Sequence, residues 1–331
     1  MVQLHNVLAP GLTRRELLAA LGAAVALQTP LRAASGKPLR GVFPIMSTPY
    51  TAAKAVDYED LAKEVDFLDR CGAHGMVWPQ LASEYSYLTK EERLRGMEVL
   101  AKAAKGKKPA LVLGVQGPNT AAALEYLRHA ETLGPDAVIA IPPTEAASLE
   151  DFRKYYRALA AATERPLFIQ TTGGARGIAP SIEFLVDLAR EFPNCGYVKE
   201  EFNPVIERMK ALAASRPPIK RIFSGAHGKG LTYEMRLGFD GTMPGASLTD
   251  VYAQIWDLHQ AGQPQKARDL FSQLLLLVNL SDQIPGTFPY LMKKRGVFKT
   301  TVSRQRNVEL TPEATQEIDF NFEALKPFLR T

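Results

Sequence analysis

The sequence predicts an α/β protein, a (β/α)8 barrel carrying a C-terminal helical extension. Two observations predict it. From residue 40 onward short apolar runs alternate with longer amphipathic stretches, and eight such strand–helix units fit into about 210 residues. No glycine-rich nucleotide fingerprint follows an early strand, which disfavours the alternative doubly wound sheet. The expected strands are 41–47, 75–79, 110–115, 137–141, 166–171, 196–199, 221–224 and 241–243, most of them too short for helices and bounded by Gly or Pro. Between them, residues 58–71 place Leu61, Val65, Leu68 and Cys71 on one helical face, and 121–133, 149–162 and 181–192 repeat that pattern. The chain continues beyond the eighth unit. Residues 251–261, 266–280, 288–295 and 312–328 read as further helices, so 36–250 are assigned to the barrel and 251–331 to the extension.

Composition narrows the function. The chain has 331 residues, 46% hydrophobic and 23% charged, ordinary values for a protein with a real core. The net charge of +5 comes with interspersed signs and no dense basic run, which excludes a nucleic-acid surface as the leading reading. Two cysteines, Cys71 and Cys195, are too few for a disulfide framework or a thiolate metal site, although one bridge between them is compatible with the count. No His/Asp/Glu grouping has metal-ligand spacing, and neither metal nor cofactor is expected.

Residues 1–35 read as an address rather than as part of the fold. Arg14-Arg15 precede an apolar run over 17–27, and small residues Ala33-Ala34-Ser35 follow. At about 11 residues the run is short of the roughly 20 that span a bilayer. The paired arginines resemble a twin-arginine export signal, which implies a periplasmic or extracellular protein exported after folding, with no membrane span once the signal is removed.

In a (β/α)8 barrel the chemistry sits at the C-terminal ends of the strands. There, Gly196-Tyr197-Val198-Lys199-Glu200 ends an apolar strand in a lysine. Two readings fit: an ion-paired lysine at the barrel rim, or an amine that attacks a carbonyl to form a Schiff base.

The wider context resembles the dihydrodipicolinate synthase / N-acetylneuraminate lyase family of class I aldolases. The likeness runs over nearly all of 38–331. It is carried by Gly41-Val42-Phe43-Pro44-Ile45-Met46-Ser47-Thr48-Pro49-Tyr50, Gly72, Glu84, Leu88-Thr89, Glu91-Glu92-Arg93, Gly114-Val115, Pro142, Val198-Lys199-Glu200, Ser224-Gly225 and Gly238-Phe239-Asp240-Gly241. The resemblance implies a barrel, a small 2-oxo acid substrate such as pyruvate, a homodimer or homotetramer, and Lys199 as the Schiff-base residue.

The sequence also departs from that pattern. Where relatives carry Gly-Thr-Thr-Gly-Glu, this chain reads Gln80-Leu81-Ala82-Ser83-Glu84. The hydroxyl pair that helps hold the substrate carboxylate and relay protons is thus Leu81 and Ala82. Backbone N–H groups at Ala82 and Ser83 keep a carboxylate-binding role, with the Ser83 hydroxyl as a substitute. Gln170 takes the position of the relatives' acid/base tyrosine and cannot exchange a proton near neutrality. Pro143 takes that of a second relay tyrosine. The relatives' carboxylate-binding arginine aligns with Ala175, with Arg176 next door as either its substitute or a surface charge. Two replacements for the missing relay stand out. His227 is a proton carrier or a structural histidine. Glu201 is a base, a counter-ion to Lys199 or a loop acid. Met243 falls beside the Schiff base, Glu84 in local support, and Tyr50, Trp78 and Phe43 in packing.

The expected function is a Schiff-base aldolase or lyase that cleaves, condenses or dehydrates a 2-oxo acid, distinct from true dihydrodipicolinate synthase. The alternative is an exported, non-catalytic binding protein for a 2-oxo acid or sugar acid on the same scaffold.

Overall fold

The computed structural model describes residues 36–175, 179–306 and 308–331. The export pattern in 1–35 and the arginine at 176 lie outside the described residues. Eight parallel strands alternate with helices: β1 (Gly41–Val42), α1 (Tyr58–Cys71), β2 (Gly75–Trp78), α2 (Lys90–Ala103), β3 (Ala110–Gly114), α3 (Thr120–Leu133), β4 (Ala137–Ala140), α4 (Leu149–Ala161), β5 (Leu167–Gln170), α5 (Ile182–Glu191), β6 (Tyr197–Glu200), α6 (Val205–Ala214), β7 (Arg221–Ser224), α7 (Leu231–Arg236), β8 (Gly241–Thr242) and α8 (Thr249–Gln260). Strand order is β1-β8-β7-β6-β5-β4-β3-β2. The ring closes beyond the regular part of β1, where Ile45 bridges Val77 and the Met46 N–H donates to the Val77 carbonyl at 2.9 Å. The chain is a (β/α)8 barrel.

Local sequence explains the elements. α1 starts at Asp57, whose carboxylate accepts the Asp60 N–H, and stops at Gly72, which adopts the left-handed conformation. α2 starts in a capping box between Thr89 and Glu92. That box is visible in the sequence, but periodicity alone passes over α2, α6 and α7. The stretch 312–328 is not one helix. α11 (Pro312–Glu323) ends first, and a 3-10 turn over Lys326–Phe328 follows, because Pro327 supplies no backbone N–H to continue the ladder.

Inside the barrel Phe43, Phe168 and Phe223 meet edge to face, with ring centroids 5.1 and 5.3 Å apart. Gly75 makes this packing possible: a Cβ there would lie 2.2 Å from the Phe43 ring. A second apolar layer joins the strands to the surrounding helices, and both cysteines are buried in it as free thiols.

The helix following β8 is α8, which packs against β1 and α1 and so completes the eighth unit. The extension then continues through α9 (Pro264–Gln283), α10 (Thr287–Lys294) and α11 around its own apolar cluster. A buried ion pair ties it down. Arg295, at the end of α10, donates to both carboxylate oxygens of Asp250 on α8, at 3.1 and 2.5 Å, and the Arg330 N–H adds a third bond at 2.9 Å. Removing one partner of such a pair strands the other charge in the interior. Asp250→Ala is therefore expected to lower unfolding free energy by about 3–5 kcal/mol, read from the chemical denaturation midpoint at constant slope.

Candidate active site

The sheet direction sets the site. Gln170 ends β5, Lys199 lies one residue from the end of β6, and the two pair across the sheet. Their side chains enter the barrel mouth at one level. Lys199 Nζ donates to Gln170 Oε1 at 3.0 Å and lies 3.3 Å from Glu201 Oε2. The lysine side chain is only 5% exposed and the glutamate 16%. Gln170 cannot turn its amide around, because its Nε2 donates to the Thr172 carbonyl at 3.2 Å, leaving Oε1 to face the lysine. The tyrosine position of the resemblance is thus filled by a group that orients the amine and is itself fully buried.

Glu201 is held at each oxygen. Its Oε1 accepts the Ala226 N–H at 3.0 Å and its Oε2 accepts the Thr172 hydroxyl at 3.1 Å. Burial pushes its pKa up, but the Lys199 charge and these donors outweigh burial and hold the carboxyl below the usual range. Neighbouring Glu200 faces away from this group. It accepts the Thr171 hydroxyl at 2.6 Å and pairs with Arg208 at 3.0 Å, bracing the strand end.

The turn after β7 is strained. Ala226, His227 and Gly228 all have positive φ, at 47, 56 and 68°. The Tyr252 hydroxyl of α8 holds the His227 carbonyl, and the His227 ring stacks on Phe288 of α10 at 5.2 Å. Burial and the Lys229 charge lower the His227 pKa, so its imidazole is neutral near pH 7.

These groups line a cavity of about 310 Å³ whose walls include Lys199, Glu201, His227, Met243, Ala82 and Gln80. An adjoining chamber of about 140 Å³ shares Ile45, Ala82, His227 and Gly245 with it and is walled by Phe288, Phe298, Thr300, Thr301 and Val302 of the extension. The sequence therefore anticipates the grouping of Lys199, Glu201, His227, Gln170, Ala82 and Met243. The N–H groups of Leu81 and Ala82 have no protein acceptor among the described residues. Ser83 differs from expectation. Its N–H donates to Gln80 O, its hydroxyl donates to Met46 O at 2.5 Å and accepts the Gln80 N–H at 3.0 Å, and the residue is fully buried. Its polar groups are spent on closing the turn. Glu84 accepts the N–H groups of Arg304 and Gln305, each at 2.9 Å, a local support as expected.

The family model for the dihydrodipicolinate synthetase family matches residues 38–325. The chain belongs to that family. Among similar proteins, a 4-hydroxy-tetrahydrodipicolinate synthase of Parabacteroides distasonis is 28% identical over 246 residues, covering 73% of this chain and 82% of that protein. An L-2-keto-3-deoxyarabonate dehydratase of Azospirillum brasilense is 25% identical over 286 residues, covering 84% and 92%. The crystal structure of dihydrodipicolinate synthase from Rhodopseudomonas palustris superposes with a TM-score of 0.78 at 24% identity, covering 86% of this chain and 97% of that one, and shares the fold.

A Cβ on Gly225 would lie 1.7 Å from Glu201 Oε1, so Gly225→Ala must displace the carboxylate and is expected to remove most ligand binding in the cavity while the fold survives, read by calorimetry and circular dichroism. The lowered Glu201 pKa also has a sign for stability. The carboxylate stabilises the fold above the ordinary carboxyl pKa, and that contribution disappears as pH falls through the lower folded value. The stability difference between wild type and Glu201→Gln should accordingly be largest near neutrality and shrink below about pH 4 in denaturant titrations.

Proposed function

We propose that this protein is a Schiff-base-forming lyase of the class I aldolase type, acting on a 2-oxo acid with Lys199 as nucleophile. The observation that carries the reading is the buried Lys199 amine facing a cavity with the Glu201 carboxylate at 3.3 Å. An ammonium does not attack a carbonyl. Transfer of one proton from Lys199 to Glu201 yields the neutral amine and a carboxylic acid at the same site. The amine adds to C2 of the 2-oxo acid, and the acid then protonates the carbinolamine oxygen so that it leaves as water. The remaining iminium N–H donates to Gln170 Oε1, which keeps the C=N bond oriented. The free N–H groups at Leu81 and Ala82 receive the substrate carboxylate without needing the hydroxyls of the resemblance.

The iminium is an electron sink. It lets the neighbouring carbon lose a proton, or lets the next C–C bond break, and Glu201, again a carboxylate, takes the proton. One carboxylate thereby covers the work of the missing tyrosines. His227, neutral at the junction of the two chambers, is placed to serve the distal part of a longer substrate. Export by the N-terminal segment and assembly into a homo-oligomer belong to the same proposal. They are supported by the residue pattern in 1–35 and by the family resemblance.

Borohydride reduction in the presence of a panel of 2-oxo acids tests the reading by peptide mass. A reduced adduct on Lys199 that is absent in Lys199→Ala supports the imine. Saturable binding with no adduct for any acid supports a binding-only protein. Glu201→Gln is expected to retain ligand binding while turnover falls about 10²–10⁴-fold.

A further inference from the structure

The turn after β7 does not hold itself. Ala226 and His227 carry side chains yet sit at φ 47 and 56°, in the left-handed region that such residues keep only where the surroundings enforce it. Within the turn the Gly228 N–H donates to Gly225 O at 2.8 Å and the Lys229 N–H to Ala226 O at 3.3 Å, and neither bond uses the His227 carbonyl. The one donor to that carbonyl among the described residues is the Tyr252 hydroxyl, near the start of α8.

Tyr252 is built for this contact. It is 3% exposed, and burial raises its phenol pKa, so it keeps its proton and donates it to the carbonyl. Its ring covers the turn as well: a Cβ on Gly228 would lie 2.9 Å from Tyr252 Cε1. Two peptide units before the held carbonyl is the Ala226 N–H, which donates to Glu201 Oε1 at 3.0 Å. The charged and titratable groups that face Glu201 are Lys199 of β6 and the His227 imidazole. Tyr252 is neutral, so its influence on Glu201 runs through the backbone of the turn rather than through charge.

We propose that Tyr252 is a positioning residue for the reaction: by holding the His227 carbonyl it keeps the Ala226 N–H on Glu201, and so keeps that carboxylate in place to exchange protons beside Lys199. This rests on the reading of Glu201 as the proton carrier of a Schiff-base site.

The test is Tyr252→Phe, which keeps the ring over Gly228 and removes only the donor. Two readouts are taken on the full chain. In a carboxyl-carbon NMR titration without ligand, with the Glu201 signal assigned by its loss in Glu201→Gln, the Glu201 midpoint should rise by roughly half a unit to one unit as its Ala226 donor slackens. Deuterium uptake at C3 of pyruvate should fall about 10- to 100-fold while pyruvate affinity stays within about threefold of wild type. Gly228→Ala presses the turn off the same ring and should move the Glu201 midpoint in the same direction; it carries the test if the phenylalanine variant does not fold. An unmoved Glu201 midpoint in a folded variant overturns the proposal, because a tyrosine that only adds stability changes neither readout. A raised midpoint together with no C3 exchange in wild type leaves Tyr252 as the residue that places Glu201 and overturns the Schiff-base reading instead.

Discussion

The arrangement of the barrel mouth follows from one constraint, a lysine ammonium placed where water scarcely reaches it. A charge at that depth needs compensation, and the chain supplies it from the end of β5 and the residue after β6: the Gln170 amide oxygen at 3.0 Å and the Glu201 carboxylate at 3.3 Å. Glu201 in turn needs fixed donors, and these come from Thr172 and from the Ala226 N–H. The latter is aimed by a turn with three successive positive φ angles, made possible by the missing side chain of Gly225 and clamped by Tyr252. Backbone strain after β7 is thus linked, bond by bond, to the placement of the amine.

The C-terminal extension takes part in the same construction. Phe288 packs on His227, and Phe298, Thr300, Thr301 and Val302 wall the second chamber. Charged contacts hold those pieces against the barrel. Arg295 locks α10 to α8 through Asp250. Arg304 donates to both oxygens of Glu92 at 2.7 Å, and its backbone N–H bonds Glu84 at the turn after β2. The extension is therefore a wall of the site, and changes in it bear on the shape available to a substrate.

Much of this was legible in the sequence. The eight strand positions stand out because buried parallel strands read as short apolar runs between glycines and prolines. Lys199 stands out because a lysine ending such a run demands an explanation, and Glu201 because it lies two residues on, on the same face. The misses have physical causes. α2 carries weak apolar periodicity and is started by its capping box, and α7 is only six residues long. Ser83 looks like a free hydroxyl until the turn is folded, when closing the 3-10 segment consumes both its polar groups.

The central claim is that Lys199 and Glu201 work as one proton-exchanging pair. The most direct measurement is deuterium uptake at C3 of a bound 2-oxo acid in D2O, followed by proton NMR. The account predicts rapid exchange with wild type, none with Lys199→Ala, and exchange slowed at least about 100-fold in Glu201→Gln although that variant still binds the acid. Exchange at the wild-type rate in Glu201→Gln would contradict it and move the proton to another group, with His227 the first to test.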